Sequence, residues 1–192
     1  MQSPARGAAL VASQRFWPET RSNALLRLVA LSLLGSAILA ASAHVRVPFW
    51  PVPMTMQTGA LLLIGASFGL RPAVGAMLAY LLEGIVGLPV FTGGAGLAYL
   101  AGPTGGYLVG RLAAAALLGA GAERGWTRRL PGLLALLIAA DALVLACGVA
   151  WLATLHGLGF AITFGLLPFL AGEAVKIAIA ACLLRLIPPG TA

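Results

Sequence analysis

Glu173-Ala-Val-Lys176 is the stretch of this 192-residue chain with the clearest capacity for chemistry. Lys176 is the only lysine, and it stands three residues from a carboxylate at the start of a stretch with the polarity of a membrane span. Residues three apart share one helix face, so an acid and a base are presented together. Ionisable groups at membrane depth cost roughly 2.5–3.5 kcal/mol each and persist where they pair or line a cavity. A lysine near a helix N-terminus is also disfavoured by the positive end of the dipole unless an anion joins it. The pair is expected to form the floor or wall of a solute-binding cavity.

Three further ionisable side chains fall within apolar segments. Glu83 and Arg111 lie at depths that differ by only a few Å at about 1.5 Å of rise per residue. They can pair and brace the cavity, or Glu83 can meet the ligand directly. Asp141 lies deeper, within reach of Arg111 or of inner-side water. His44 and His156 fall at helix ends without companions for a metal site, which marks them as interfacial. Cys147 and Cys182 have no C-x-x-C or Cys/His spacing and are expected to be buried packing residues. No metal site is expected.

The elements that must position these groups are membrane helices. A mean hydropathy of +1.00 with 60% hydrophobic and 9% charged residues excludes an ordinary soluble domain. The formal charge of +7 does not indicate nucleic-acid binding, because the arginines sit between apolar runs without interleaved aromatics. Residues 1–24 read as a polar tail, 25–187 as a six-helix membrane domain and 188–192 as a short C-terminal tail. The six segments run over about 25–43, 57–70, 72–87, 104–122, 132–155 and 169–187. An A-x-A-like Ala41-Ser42-Ala43 follows the first, but the long preceding tail and the length of the apolar run argue against a cleaved signal. Segments two and three are short for a full span, so they are tilted partial helices or their flanking loops re-enter the membrane.

With the N-terminus inside, eight basic residues are cytoplasmic (Arg6, Arg15, Arg21, Arg71, Arg124, Arg128, Arg129 and Arg185) against Arg46 alone in an outer loop. Both termini are then inside. The Pro- and Gly-rich connections at 44–56, 88–103 and 156–168 all lie outside, placing a ligand cavity near the outer face beneath loops.

Pro48-Phe49-Trp50-Pro51-Val52-Pro53-Met54-Thr55-Met56-Gln57-Thr58 has three prolines in six residues, which restricts its backbone before any ligand arrives. It can be a stiff lid with Thr55 and Gln57 as hydrogen-bonding groups, or an interfacial anchor through Trp50. Phe91, Tyr99 and Tyr107 can form aromatic walls for a small ring. No lysine follows a G-x-x-x-x-G pattern, so the chain has no phosphate-cradling loop. Gly106 and Gly110, four apart, suit helix packing, as do the stripes Ser32/Ser36/Ala40 and Ala37/Ala41. The latter stripes serve packing within the chain or docking onto a partner.

These residues together resemble the BioY family, the biotin-specific S components of energy-coupling-factor (ECF) transporters. The resemblance rests on Pro51-Val52-Pro53-Met54-Thr55-Met56-Gln57-Thr58, on Tyr80-Leu81-Leu82 and Gly87-Leu88-Pro89-Val90-Phe91, on Gly102-Pro103-Thr104-Gly105-Gly106-Tyr107, and on the acid-x-x-Lys at 173–176. It covers about 44–187. It implies a multi-pass protein of the bacterial cytoplasmic (inner) membrane that captures biotin from the exterior and is not an enzyme. Implied partners are an ECF transmembrane coupling subunit and ATPase subunits, which alone use ATP; no cofactor is implied, and homo-oligomerisation is left open. Glu173 stands where the family usually has aspartate. The substrate-binding set is Glu173, Lys176, Glu83, Gln57, Phe91, Tyr99 and Tyr107. Glu173 can accept from ureido N–H groups, and Lys176 can meet the ureido oxygen or the carboxylate. The partner-docking set is Ser32, Ser36, Ala37 and Ala41: Ala37-x-x-x-Ala41 matches the family's Ala-x-x-x-Ala literally, and Ser32/Ser36 is the alternative register.

Two rival readings come from other classes. A proton-coupled secondary carrier or channel for a small anionic solute would use Glu83, Asp141 and Glu173 as titrating groups. An intramembrane enzyme would need His44 or His156 as a base, and no nucleophile is spaced to serve it.

Overall fold

The computed structural model describes residues 20, 22–48 and 50–186, so the expected tails lie largely outside the described residues. The chain is helical from α1 (Ala24–His44) onward, interrupted by a hairpin of β1 (Arg46–Val47) and β2 (Met54–Thr55). Then come α2 (Gln57–Phe68), α3 (Leu70–Ile85), the short α4 (Leu97–Ala101) and α5 (Gly105–Glu123). A 3-10 turn (Trp126–Arg128) leads to α6 (Leu130–His156), α7 (Leu158–Gly165) and α8 (Leu167–Leu186). Among the described residues four helices, α1, α5, α6 and α8, are long and apolar enough to cross a membrane. At about 1.5 Å per residue, α2 and α3 reach only about 18 and 24 Å, short of a hydrocarbon core of about 30 Å.

Glycine and proline set the helix ends. Gly69, at φ +88°, separates α2 from α3 in a conformation that side chains with a Cβ rarely adopt. Gly157, at φ +86°, does the same between α6 and α7. Pro131 sits in the first turn of α6, where its missing N–H costs nothing. The short helices α4 and α7 occupy connections expected as plain loops, and the lid segment contains the hairpin.

Small residues let the helices approach. α1 lies on α3, where a Cβ on Gly35 would come within 2.5 Å of the Ala76 Cβ. Gly106 and Gly110 press α5 onto Trp151, Cys147 and Val144 of α6, in accord with the packing role expected of that pair. Leu61, Leu62, Met77, Leu118, Leu136 and Leu137 form the buried centre. The outer faces are equally apolar, with Leu33, Leu82, Val109, Ile138 and Val175 all exposed. Helices apolar on every side require lipid around them. Cys182 is on this exposed surface and Cys147 is half-buried, so the expectation of two buried cysteines fails for Cys182.

The three long connections gather at one end. Arg46 donates to the Thr92 carbonyl, and Trp50 packs edge-on against Phe160 and Phe164 at 5.6 and 6.5 Å. Trp151 Nε1 donates to the Gly102 carbonyl at 2.9 Å. At the other end, Glu123 Oε1 accepts the Leu70 N–H at 2.8 Å, and Arg185 donates to the Arg128 carbonyl at 3.2 Å. Arginines crowd this second end.

Candidate functional site

Lys176 Nζ donates to Glu173 Oε1 at 2.8 Å, and each residue is only 5% exposed. The i, i+3 spacing on α8 makes the contact, and the lysine stem runs past Gly59 of α2. Glu173 Oε2 has no hydrogen-bond partner. Two adjoining narrow cavities open from this point, sharing Val52, Pro53, Thr55, Tyr107 and Arg111 in their walls. One reaches Glu173 and Phe169; the other reaches Gln57, Tyr80 and Tyr99. Val52 and Pro53 come from the proline-rich segment, which therefore roofs the site. Trp50 of the same segment is 70% exposed and packs on Phe160 and Phe164 instead of lining the cavities.

Unfilled hydrogen-bonding capacity concentrates here. Gln57 is fully buried, and neither its amide oxygen nor its amide nitrogen has a partner. Arg111 Nε is also without one, and the guanidinium's electrostatic neighbours are Tyr80, Glu173, Tyr99 and Tyr107. Buried polar atoms are normally satisfied, and leaving one bare costs about 1–3 kcal/mol. Several such atoms converge on one roofed space. The aromatic wall is rigid: Tyr107 Oη donates to the Gly165 carbonyl at 2.6 Å, and its ring stacks on Phe169 at 6.2 Å. Tyr80 Oη donates to the Val90 carbonyl at 3.2 Å.

A family model for the BioY family matches residues 13–191. The chain belongs to the BioY family. It is 36% identical over 157 residues to the biotin transporter BioY2 of Lactococcus lactis, covering 80% of this chain and 86% of that one. It is 34% identical over 180 residues to the biotin transporter BioY of Rhizobium etli, covering 89% and 95%. In fold it is similar to the crystallised S component for biotin of an ECF-type ABC transporter, with TM-score 0.76, 23% identity, and coverage of 88% of this chain and 94% of that one. Like its BioY relatives it is a multi-pass membrane protein.

Within this BioY chain, Glu173, Gln57, Tyr99 and Tyr107 all line the cavities, and Lys176 is bonded to Glu173 beside them. Phe91 does not line either cavity. It is 1% exposed, stacked on Tyr99 at 4.8 Å, edge-on to Tyr80 at 5.4 Å and seated on Gly84. It backs the wall rather than forming it. Glu83 accepts from Ser36 Oγ at 2.6 Å, and among the described residues no ion pair joins it to Arg111. The expected brace is absent because Glu83 faces α1 across the α1–α3 seam. Ser36 is fully buried in that seam, and Ser32 packs against Gly75. Ala37 and Ala41 are exposed on the free side of α1. Arg111 and Tyr80 are cavity residues missing from the expected ligand set, Arg111 being expected as a partner for Glu83 or Asp141. Asp141 is 5% exposed and so does not face inner-side water; its electrostatic neighbours are Glu173, Lys176 and Arg111. His44 bonds the Ala40 carbonyl, and His156 stacks on Phe160, both exposed.

Proposed function

We propose that this BioY chain is the substrate-binding S component of an ECF-type vitamin importer and captures biotin, without catalysing a reaction. The observation that carries the reading is the set of bare polar atoms on Gln57, Arg111 and Glu173 around one roofed cavity. Biotin has complementary groups: a ureido ring with two N–H donors and one carbonyl, an apolar bicycle and a carboxylate. Glu173 Oε2 and the Gln57 amide suit the ureido edge, the Tyr99 and Tyr107 rings suit the bicycle, and Arg111 and Lys176 supply charge for the carboxylate. Entry requires the Val52–Pro53 roof to lift, and its proline-restricted backbone keeps the ordering cost of reclosure low.

The arginine-rich end is the cytoplasmic one, with both termini inside, six membrane helices and the roofed end facing the exterior of a bacterial inner membrane. Ala37 and Ala41, exposed on α1, form the small-residue surface for an ECF transmembrane coupling subunit, to which separate ATPase subunits supply ATP hydrolysis. The deciding experiment is titration of radiolabelled biotin onto the purified chain in detergent. Saturable one-to-one binding supports the reading; no retention of label rejects it.

A further inference from the structure

α1 and α3 close on each other where Gly75 meets Ser32, since a Cβ on Gly75 would run into the Ser32 hydroxyl. Outside that contact their side chains diverge. Val29 and Leu33 of α1 and Val74 and Leu78 of α3 wall an open groove of about 590 Å³, with Ser32 and Gly75 as its floor. Val29, Leu33 and Leu78 are 46%, 55% and 44% exposed, so the groove faces outward from the bundle. It runs from Leu70 to Leu78 of α3, about 12 Å at 1.5 Å of rise per residue. Its lining is apolar apart from the Ser32 hydroxyl and, at one end, Arg71.

Arg71 is exposed, and among the described residues no hydrogen bond or ion pair engages its guanidinium. Glu123, the carboxylate described at this end, accepts the Leu70 N–H at 2.8 Å and forms no ion pair with Arg71. Arg124, Arg128, Arg129 and Arg185 crowd the same end, which favours an anion over a group carrying its own cation. A guanidinium is suited to a phosphate, and an apolar groove leading away from it is suited to a hydrocarbon chain. An anionic phospholipid joins the two in one molecule. Ala37 and Ala41, the surface assigned to the coupling subunit, point about 140° and 180° round α1 from Ser32, so a helix seated on them leaves the groove open. The groove lies at the opposite end of the bundle from the roofed cavity, and lipid binding there does not depend on biotin.

We propose that the α1–α3 groove holds one anionic phospholipid, its phosphate on Arg71 and an acyl chain between the α1 and α3 walls. The test titrates the full chain, delipidated in a neutral detergent, with dioleoyl phosphatidylglycerol and with dioleoyl phosphatidylcholine, read by native mass spectrometry. One phosphatidylglycerol should be retained at least ~5-fold more tightly than phosphatidylcholine. Arg71→Gln should weaken its retention at least ~5-fold. Arg124→Gln removes the same charge at the same end but outside the groove, and should change retention less than ~2-fold. Leu78→Trp, which fills the groove from an exposed position, should weaken retention of both lipids. Equal retention of the two lipids by the wild type overturns the proposal, as do equal losses in R71Q and R124Q, which would trace binding to a diffuse basic face. Unchanged retention in L78W overturns it too, and so does a dimer that L78W dissociates, which would make the groove an interface between copies of the chain. The lipid comparison and the two arginine variants stand even if L78W does not fold.

Discussion

Carboxylates sit among apolar helices in two regions of this molecule, and their surroundings differ. In the α1–α3 seam, Glu83 accepts a 2.6 Å bond from Ser36, and neither residue is left with a bare buried atom. Between α2, α5, α6 and α8, Gln57, Arg111, Asp141 and Glu173 each keep at least one buried polar atom without a partner. Both regions place acids where water is scarce, so charge within an apolar segment does not by itself identify a binding site. What separates them is unfilled bonding capacity beside a cavity. The seam is finished by its own chain; the cavity groups keep bonding capacity that their own chain does not fill.

Lys176→Ala tests that contrast most severely. Removing the ammonium leaves Glu173 buried without its partner, and biotin affinity should fall by ~2–5 kcal/mol, or ~30- to 5,000-fold. Glu83→Gln in the same detergent titration should change affinity less than ~3-fold, because its partner is inside the chain. Equal losses in the two variants would erase the distinction between the regions.

Gln57→Leu should separate stability from binding. Both amide atoms are bare in a fully buried side chain, so an apolar replacement of similar size should stabilise the protein by ~1–3 kcal/mol in the absence of biotin. Biotin affinity should fall at the same time. A variant both less stable and unchanged in affinity would mean that the amide is satisfied inside the chain. Ser36→Ala should behave in the opposite way, losing ~1–3 kcal/mol of stability by stranding Glu83 while affinity holds. Thermal unfolding in detergent with and without biotin reads both variants.

The helices were legible in the sequence because glycine, proline and apolar runs mark their ends: each of the six long segments begins and ends within about two residues of its expected bound. The acid-x-x-Lys pair was legible because its contact is local to one turn. Contacts across helices were not. Depth along the membrane can be counted from sequence, but the direction a side chain points turns by about 100° per residue and depends on which helix lies alongside. That is why Glu83 and Arg111, similar in depth, do not meet, and why Ser36, noticed only as a small residue, proved to be the partner of Glu83. Phe91 fell in the right loop but behind the tyrosines, for the same reason. Asp141 was counted as deep, and its burial follows from the packing of α6 against its neighbouring helices.

The mildest prediction concerns the border between the two kinds of polar group. Tyr107 lines both cavities, yet its hydroxyl is committed to the Gly165 carbonyl at 2.6 Å, where it ties α5 to the end of α7. Tyr107→Phe keeps the ring that stacks on Phe169 and removes only that bond. The Gly165 carbonyl then lacks its donor at the end of a short helix, and stability should fall by about 0.5–1.5 kcal/mol. Because the ring supplies the cavity wall, biotin affinity should change by less than ~3-fold. A stability loss with intact affinity assigns the hydroxyl to the scaffold and the ring to the site. Affinity falling more than stability would instead mean that the hydroxyl exchanges the carbonyl for the ligand, so that even a satisfied group at this end of the bundle can take part in binding.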